Sequence, residues 1–300
     1  MSLESDQLGE AEEPFYRGGV DVGRFHISSD GIWGWLTVLP VLILYLMIAV
    51  GPILFALYAS FTDARTILPI ATWDFVGFEN YVQVFNLPLF WDSMYRGVVF
   101  MVGSTLIQTA VGIWMALALN KVQYGKKILS TVVFTAYLIP TIIVALIARY
   151  MFDETKGLLH AVGSGLGLWE GAVLGTGGHV PILGGATSLA MAMLIMISSW
   201  KFSVFVTIFV LAQLRGIPDR FYEAAKVCGA TTWEMFRDIT LPRIWGALLV
   251  AVLLRSIFMF NKFDIIAQVT NGGPGTATMN LPYMAYDTLR STGDYGLVNA

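Results

Sequence analysis

Five long apolar stretches dominate this sequence and restrict what it can fold into. They cover residues 32–61, 98–119, 128–152, 187–214 and 244–260. A bilayer core about 30 Å thick is crossed by roughly 20 apolar residues in a helix, and a spanning segment must satisfy its own backbone groups. The alternation typical of barrel strands is absent. The stretches therefore predict an all-α polytopic membrane protein with five spans. Three prolines inside them are expected to kink the helices: Pro40, Pro52 and Pro140.

The composition agrees with a membrane protein and excludes several other classes. Charged residues make up 13% of the chain, whereas a soluble domain has about 25%. The net charge of -3 does not favour nucleic-acid binding. Cys228 is the single cysteine, so no internal disulfide or multi-cysteine metal cluster is predicted, and we expect it to be a small packing residue. The three histidines (His26, His160 and His179) lack ligand spacing, so no metal site is predicted.

The distribution of positive charge predicts the orientation. Lysines cluster in segment 121–127, and arginines and lysines cluster in segment 215–243. Both segments should be cytosolic, because short cytosolic loops are rich in Lys and Arg. Alternation then places the N-terminus inside, as an acidic cytoplasmic tail of residues 1–31, and the C-terminus outside. A sixth span beyond Ala300 would return the chain to the cytosol and is expected; the alternative is that five spans are complete.

The polar stretch 221–242 predicts two short helices joined by a tight turn. Asp219 suits the positive end of the first helix, and Gly229 suits the position just past its end, because glycine accepts a left-handed conformation. Thr231 and Glu234 have the spacing of a capping box, which starts the second helix. That helix is expected to stop at the final proline of the stretch, where the fifth span begins.

Seven residues in this stretch fit the pattern E-A-A-x(3)-G-x(9)-I-x-L-P: Glu223, Ala224, Ala225, Gly229, Ile239, Leu241 and Pro242. The pattern resembles the cytoplasmic loop motif of permease subunits in bacterial and archaeal ABC importers. The segments FVGFENYVQVF (75–85) and FDIIAQVTNGGPGTAT (263–278) are similar to segments of carbohydrate-uptake permeases of the maltose and glycerol-phosphate type. The chain departs from that family in having Cys228 where an Asp is common, and in lacking one more span.

The resemblance implies a type I ABC importer transmembrane domain over residues 32–300, with segment 215–243 as a coupling loop. It also implies the partners: a second permease subunit, two copies of a cytosolic ABC ATPase, an extracytoplasmic solute-binding protein, and a sugar or polyol substrate. The chain contains no G-x(4)-GK[ST] motif, so ATP and Mg²⁺ are expected on the partner ATPase and this subunit is expected to be non-catalytic, with no cofactor of its own.

Charged and polar residues inside the spans are candidates for the substrate pathway, because charges in the bilayer are expensive. Lys201 and Arg255 lie about midway along the fourth and fifth spans. The alternative, equally open, is a packing role in which each cation pairs with a carbonyl or a carboxylate. Sugars need hydrogen-bonding groups and an aromatic face, which adds four further candidates: Ser199, Trp200, Asn261 and Asp264. Gln108 and Gln213 are equally explained as interhelical hydrogen bonds.

Beyond the fifth span, Gly272, Gly273 and Pro274 predict a defined turn, followed by an extended segment. In the family such outer loops lie near the docking surface of the binding protein; the alternative is a plain connector.

Two other functions remain possible from the sequence. An ion-coupled secondary carrier would need carboxylates within the spans and discontinuous helices, and only Asp264 lies close to a span. A membrane scaffold would use the polar loop to recruit a cytosolic partner without transport.

Overall fold

The computed structural model describes residues 19–22, 25–65, 73–122, 124–152, 158 and 187–300. The chain forms two compact units, Met1–Asn80 with Tyr295–Ala300, and Tyr81–Asp294. Within the described part, four helices are long and apolar enough to cross a membrane, and a bent helix pair makes five if it counts as one span. The predicted helical membrane protein is thus confirmed. Most of the predicted tail, together with His160 and His179, lies outside the described residues.

The first span is one long helix with a widened turn in the middle. An antiparallel hairpin, β1 (Gly19–Val22) and β2 (Phe25–Ser28), precedes it and was not predicted. A π turn joins α1 (Ser29–Tyr45) to α2 (Gly51–Ser60). Pro52 follows this π turn in the first turn of α2, and the helix continues past it to Ser60.

The second and fourth spans form the best-packed helix pair of the larger unit. After α3 (Glu79–Asn86), α4 (Pro88–Lys121) begins well before the predicted residue 98 and packs along α7 (Thr187–Arg215). Their contact relies on glycine: a Cβ on Gly112 would lie 2.6 Å from the Cβ of Val206. Small residues let helices approach closely in a membrane, where apolar burial between helices gains little over contact with lipid.

The third span is broken rather than kinked, and here the prediction was too mild. It consists of α5 (Lys126–Leu138) and α6 (Thr141–Met151), which meet at 88°. Ile139 and Pro140 between them have extended ψ angles of 127° and 139°. Proline has no N–H and disfavours helical conformation in the residue before it. Helix α5 therefore ends before Pro140, and α6 begins after it.

The loop between the fourth and fifth spans contains α8 (Arg220–Val227), as predicted. The second short helix, however, does not stop at Pro242. A single turn (Thr232–Glu234) and a π turn (Met235–Thr240) run directly into α9 (Leu241–Phe260). Pro242 lies in the first turn of α9, immediately after the widened segment, so its missing N–H does not end the helix.

The chain after the fifth span is helical where an extended segment was predicted. Short helix α10 (Asp264–Val269) leads into the glycine-rich turn, and α11 (Leu281–Thr292) follows it. The side chain of Asn280 caps α11 by accepting the N–H of Tyr283 at 3.1 Å. The last element is α12 (Tyr295–Asn299), which belongs to the smaller unit. There a Cβ on Gly296 would lie 2.1 Å from the carbonyl oxygen of Thr62, so only glycine fits.

Candidate functional site

The glycine turn of the coupling loop has the geometry that the sequence predicts. Gly229 has φ +80°, a conformation that a side chain disfavours. Its N–H bonds to the carbonyl of Lys226 at 3.0 Å, and the next N–H, of Ala230, bonds back to Ala225 at 2.9 Å. These bonds satisfy carbonyls that the end of α8 would otherwise leave unpaired. The turn is therefore a closed, hydrogen-bonded unit.

The predicted capping box follows directly. The hydroxyl of Thr231 accepts the N–H of Glu234 at 3.3 Å, and the Glu234 carboxylate accepts the N–H of Thr231 at 2.6 Å. The helix that becomes the fifth span thus has a fixed starting point at the end of the glycine turn.

One side of α8 packs on the chain itself. Phe221 lies against buried residues of the fourth and fifth spans, and the guanidinium of Arg243 lies 4.0 Å from its ring centre. The hydroxyls of Tyr222 and Thr240 are 3.0 Å apart and share a hydrogen bond. Motif residues Ile239 and Leu241 join the same cluster. These contacts hold α8 to the base of the fifth span.

The other side of α8 is open. Glu223, Ala224 and Cys228 are exposed, and Val227 is 89% exposed. Phe221 and Ala225 are half-buried on the inner side, whereas Ala224 and Cys228 lie on the open side. Cys228 is therefore not a buried packing residue. Small side chains next to an exposed carboxylate leave room for another protein surface to approach closely.

The structure brings the two mid-span cations together around one aromatic ring. Lys201 and Arg255 are each 2% exposed. Their charged groups lie 5.3 Å and 4.5 Å from the ring centre of Phe202, and the ammonium of Lys262 lies 4.5 Å from it. We call Lys201, Arg255 and Lys262 the cation cluster. Neither Phe202 nor Lys262 was a candidate from the sequence, although Phe202 directly follows Lys201.

Each mid-span cation has a neutral oxygen as its partner. Arg255 Nε donates to the side-chain oxygen of Gln108 at 2.8 Å, which ties α9 to α4. Lys201 Nζ donates to the backbone carbonyl of Ile139 at the break of the third span. Both bonds match the packing alternative. Gln108 makes the interhelical bond that its position suggested, whereas Gln213 is exposed.

The other substrate candidates do not all lie with these cations. Trp200 is 57% exposed, on a different side of α7 from buried Ser199 and Lys201. Asn261 is exposed and donates to the carbonyl of Ile257 at 3.0 Å. Asp264 pairs with Lys262 at 3.0 Å and is thus linked to the cation cluster. Among the described residues, no group of three His, Cys, Asp or Glu could hold a metal ion.

The predicted outer turn is compact and mostly buried. Gly272 has φ +76°, and a Cβ there would lie 2.6 Å from the ring of Tyr283. The hydroxyls of Thr270 and Thr278 are 2.7 Å apart and close the turn across its base. Gly272 and Gly273 are buried, and Pro274 is half-buried. A partner could therefore touch Pro274 and the edges of the turn, but not the two glycines.

Comparisons with known proteins agree on one family. The family described as binding-protein-dependent transport system inner membrane component matches residues 108–293. The trehalose/maltose transport system permease protein MalF of Thermococcus litoralis is 34% identical over 89% of this chain and 86% of that protein. The sulfoquinovosyl glycerol transport system permease protein SmoG of Agrobacterium fabrum is 28% identical over 98% of this chain and 90% of that protein.

Solved structures show the same fold. A chain of a bacterial ABC transporter involved in the import of the acidic polysaccharide alginate matches with a TM-score of 0.73 and 23% identity. The match covers 90% of this chain and 88% of that one. A second structure matches this chain with a TM-score of 0.73. It shows a bacterial alginate ABC transporter in complex with an alginate pentasaccharide-bound periplasmic protein.

Proposed function

We propose that this chain, which belongs to the family of inner-membrane components of binding-protein-dependent transport systems, is a permease subunit that imports a sugar or a sugar-like polyol. Family membership makes the chain a membrane permease subunit. The proposal adds the solute, the source of energy and the orientation. The sugar-derived names of the relatives support a carbohydrate, since the similarity runs over most of each chain.

The observation that carries the proposal is the coupling loop. Helix α8 is held on its inner side by Phe221 and Tyr222, and its outer side, with Glu223 and Ala224, is free to bind another protein. A ligand changes a protein's conformation only through contacts that differ between states and that are physically transmitted. In our proposal the outer side binds a cytosolic ATPase, which holds ATP and Mg²⁺, and the inner contacts pass its movement to the fifth span.

The remaining partners and the orientation follow from the same proposal. A second permease completes the pathway across the membrane, and two ATPase copies bind the two coupling loops. A solute-binding protein delivers the sugar from the outer side, near the turn at Pro274. The positive charge of the coupling loop supports a cytosolic location for it, and therefore a cytosolic N-terminus.

The broken third span requires that the carrier alternative be weighed again, because discontinuous helices are typical of ion-coupled carriers. In such carriers, free carbonyls at a helix break hold the ion. Here the carbonyl of Ile139 already accepts a bond from Lys201, and a cation at that place repels Na⁺. The break therefore does not favour an ion site.

Reconstitution tests the proposal. The chain is purified with its companion permease and ATPase, placed in lipid nanodiscs, and assayed for ATP hydrolysis with and without sugar-loaded binding protein. We expect the binding protein to stimulate hydrolysis when it is loaded with a sugar. In sealed liposomes that contain the same chain, solute uptake driven by an ion gradient without any ATPase would favour the carrier, and ATPase recruitment without uptake would favour the scaffold.

A further inference from the structure

The break in the third span leaves backbone carbonyls at the end of α5 that need partners from elsewhere, and the carbonyl of Ile139 is one of them. In a continuous helix the carbonyl of Ile139 would accept the N–H of Ile143, four residues later. That N–H instead bonds to the carbonyl of Pro140 at 3.1 Å. An unpaired backbone group is costly inside a bilayer, where no water replaces the missing partner. Lys201 Nζ, from the middle of α7, supplies the missing donor.

Lys201 suits this position by its positive charge as well as by its N–H donor. Ile139 is the C-terminal cap of α5, and the C-terminal end of a helix carries a partial negative charge that a nearby cation stabilises. A buried ammonium in turn needs an acceptor. The carbonyl at the bend and the buried ammonium of Lys201 therefore each supply the hydrogen-bond partner that the other needs. Next to this bond, the ring of Tyr137 at the end of α5 contacts the ring of Phe202, with centres 6.3 Å apart.

The bend decides where α6 lies. After the break, α6 packs against α10, the short helix that follows the fifth span. Ala145 of α6 and Ile265 and Ile266 of α10 share one buried cluster. Helix α10 runs into the turn at Gly272–Pro274, since the N–H of Asn271 bonds back to Ile266 at 3.0 Å. A straight third span could not keep α6 in this place.

We propose that Lys201 is a positioning residue for transport: its bond to Ile139 keeps the third span bent, which holds α6 on α10 and thereby sets the position of the outer turn Gly272–Pro274. This inference rests on the proposed function, because it gives that turn a role in the response to the binding protein. Lys201 itself need not touch the solute. Removing the bond releases the bend and weakens the response at the outer turn.

The bend can be measured directly by spin-label distances. Ile128 and Tyr150 are 73% and 67% exposed. They lie near the ends of α5 and α6 that are farthest from the break. At 1.5 Å per residue, the 22 steps between them would span about 33 Å in a straight helix, whereas two perpendicular arms of about 15 Å end about 21 Å apart. The native cysteine is first removed by C228S, and spin labels are then attached at I128C and Y150C. The label distance is measured on the complex in nanodiscs.

Three variants at or near the bond separate the possibilities. K201M removes the donor and its charge, and we expect the label distance to lengthen by up to about 10 Å. K201R keeps a charged donor and should keep the short distance. K262M is the control for the label distance, which it should leave short, because Lys262 also lies over Phe202 but its ammonium pairs with Asp264 and does not cap Ile139. If K201M does not assemble, K201Q replaces it, since its amide nitrogen is one bond short of the ammonium position.

K201M and K201R are then tested for ATP hydrolysis. We expect K201M to keep hydrolysis without binding protein and to lose most of the stimulation by loaded binding protein, and K201R to recover that stimulation. An unchanged label distance in K201M overturns the inference, and so does a longer distance with full stimulation. Lack of stimulation in the unmodified complex is a different result: it contradicts the proposed function itself, and the label distances still report whether Lys201 holds the bend.

Discussion

The phenolic oxygen of Tyr222 lies 3.0 Å from the hydroxyl oxygen of Thr240, and this bond joins the exposed helix of the coupling loop to the base of the fifth span. Thr240 lies in the π turn, where its hydroxyl also contacts the carbonyl of Met235 at 3.3 Å. The loop is therefore attached to the span at a second point, besides the chain connection through Gly229. This attachment makes the loop suitable for transmitting movement.

Replacing Gly229 with valine should uncouple ATP hydrolysis from transport. At φ +80° a β-branched side chain costs about 1–3 kcal/mol, so the turn should rearrange and α8 should lose its position. We expect the complex to remain in the membrane but to lose sugar uptake and stimulated hydrolysis. G125V is the matched control, because Gly125 has φ +71° with nothing within 4 Å of an added Cβ, outside the coupling loop. Full transport by G229V would contradict the prediction.

Gln108→Leu should destabilise the chain more than the double variant Q108L/R255M. The single change leaves a buried guanidinium without its acceptor, and a hydrogen bond to a charged group is worth about 1.5–3 kcal/mol. The double change replaces both partners with apolar groups of similar size. Thermal unfolding in detergent measures the difference. Equal melting temperatures for Q108L and the double variant would show that Gln108 does not satisfy Arg255.

Gly112→Val should loosen the pair α4 and α7. Its side chain would meet Val206 and the carbonyl of Ser203, which would be 3.0 Å from an added Cβ, and such overpacking costs about 1–3 kcal/mol. G246V is the control, because nothing lies within 4 Å of a Cβ at Gly246. We expect a lower melting temperature for the purified G112V chain and little change for G246V. The reverse order would contradict the described packing.

Gly272→Ala should weaken binding of the loaded binding protein by about tenfold, equivalent to about 1.4 kcal/mol. The added methyl would collide with the ring of Tyr283 and shift the outer turn. G275A is the control, because Gly275 also has a positive φ, of +58°, but has open space around it. Surface plasmon resonance on nanodisc-held complexes gives both affinities. Unchanged affinity in G272A would place the docking surface away from this turn.

Local signals explain what the sequence predicted well. The glycine turn and the capping box of Thr231 and Glu234 depend on neighbours within a few residues, so their residue types are sufficient. The helix α11 had a local signal too: Asn280 precedes it and Pro282 lies in its first turn. That signal was missed because the glycines before it favoured an irregular segment.

Contacts between distant parts of the chain account for the rest. In the sequence, Pro140 indicates a kink, but not that the carbonyl of Ile139 beside it accepts a bond from a donor 62 residues away. Lys201 and Arg255 stand out in the sequence, but the ring of Phe202 that both contact does not, since helix packing decides which face of α7 meets the fifth span. The roles of the coupling-loop, substrate-pathway and docking residues stay predictions.

The uninterrupted helix from Thr232 to Phe260 has a mechanical consequence. Its 29 residues extend about 43 Å, so a tilt of about 10° at the capped end displaces the opposite end by about 7 Å. Had Pro242 separated two helices, a hinge at that point would have absorbed such a rotation. Because the helix continues through the π turn and past Pro242, a small angular change at the coupling-loop end becomes a displacement wide enough to open or close a passage for a sugar ring.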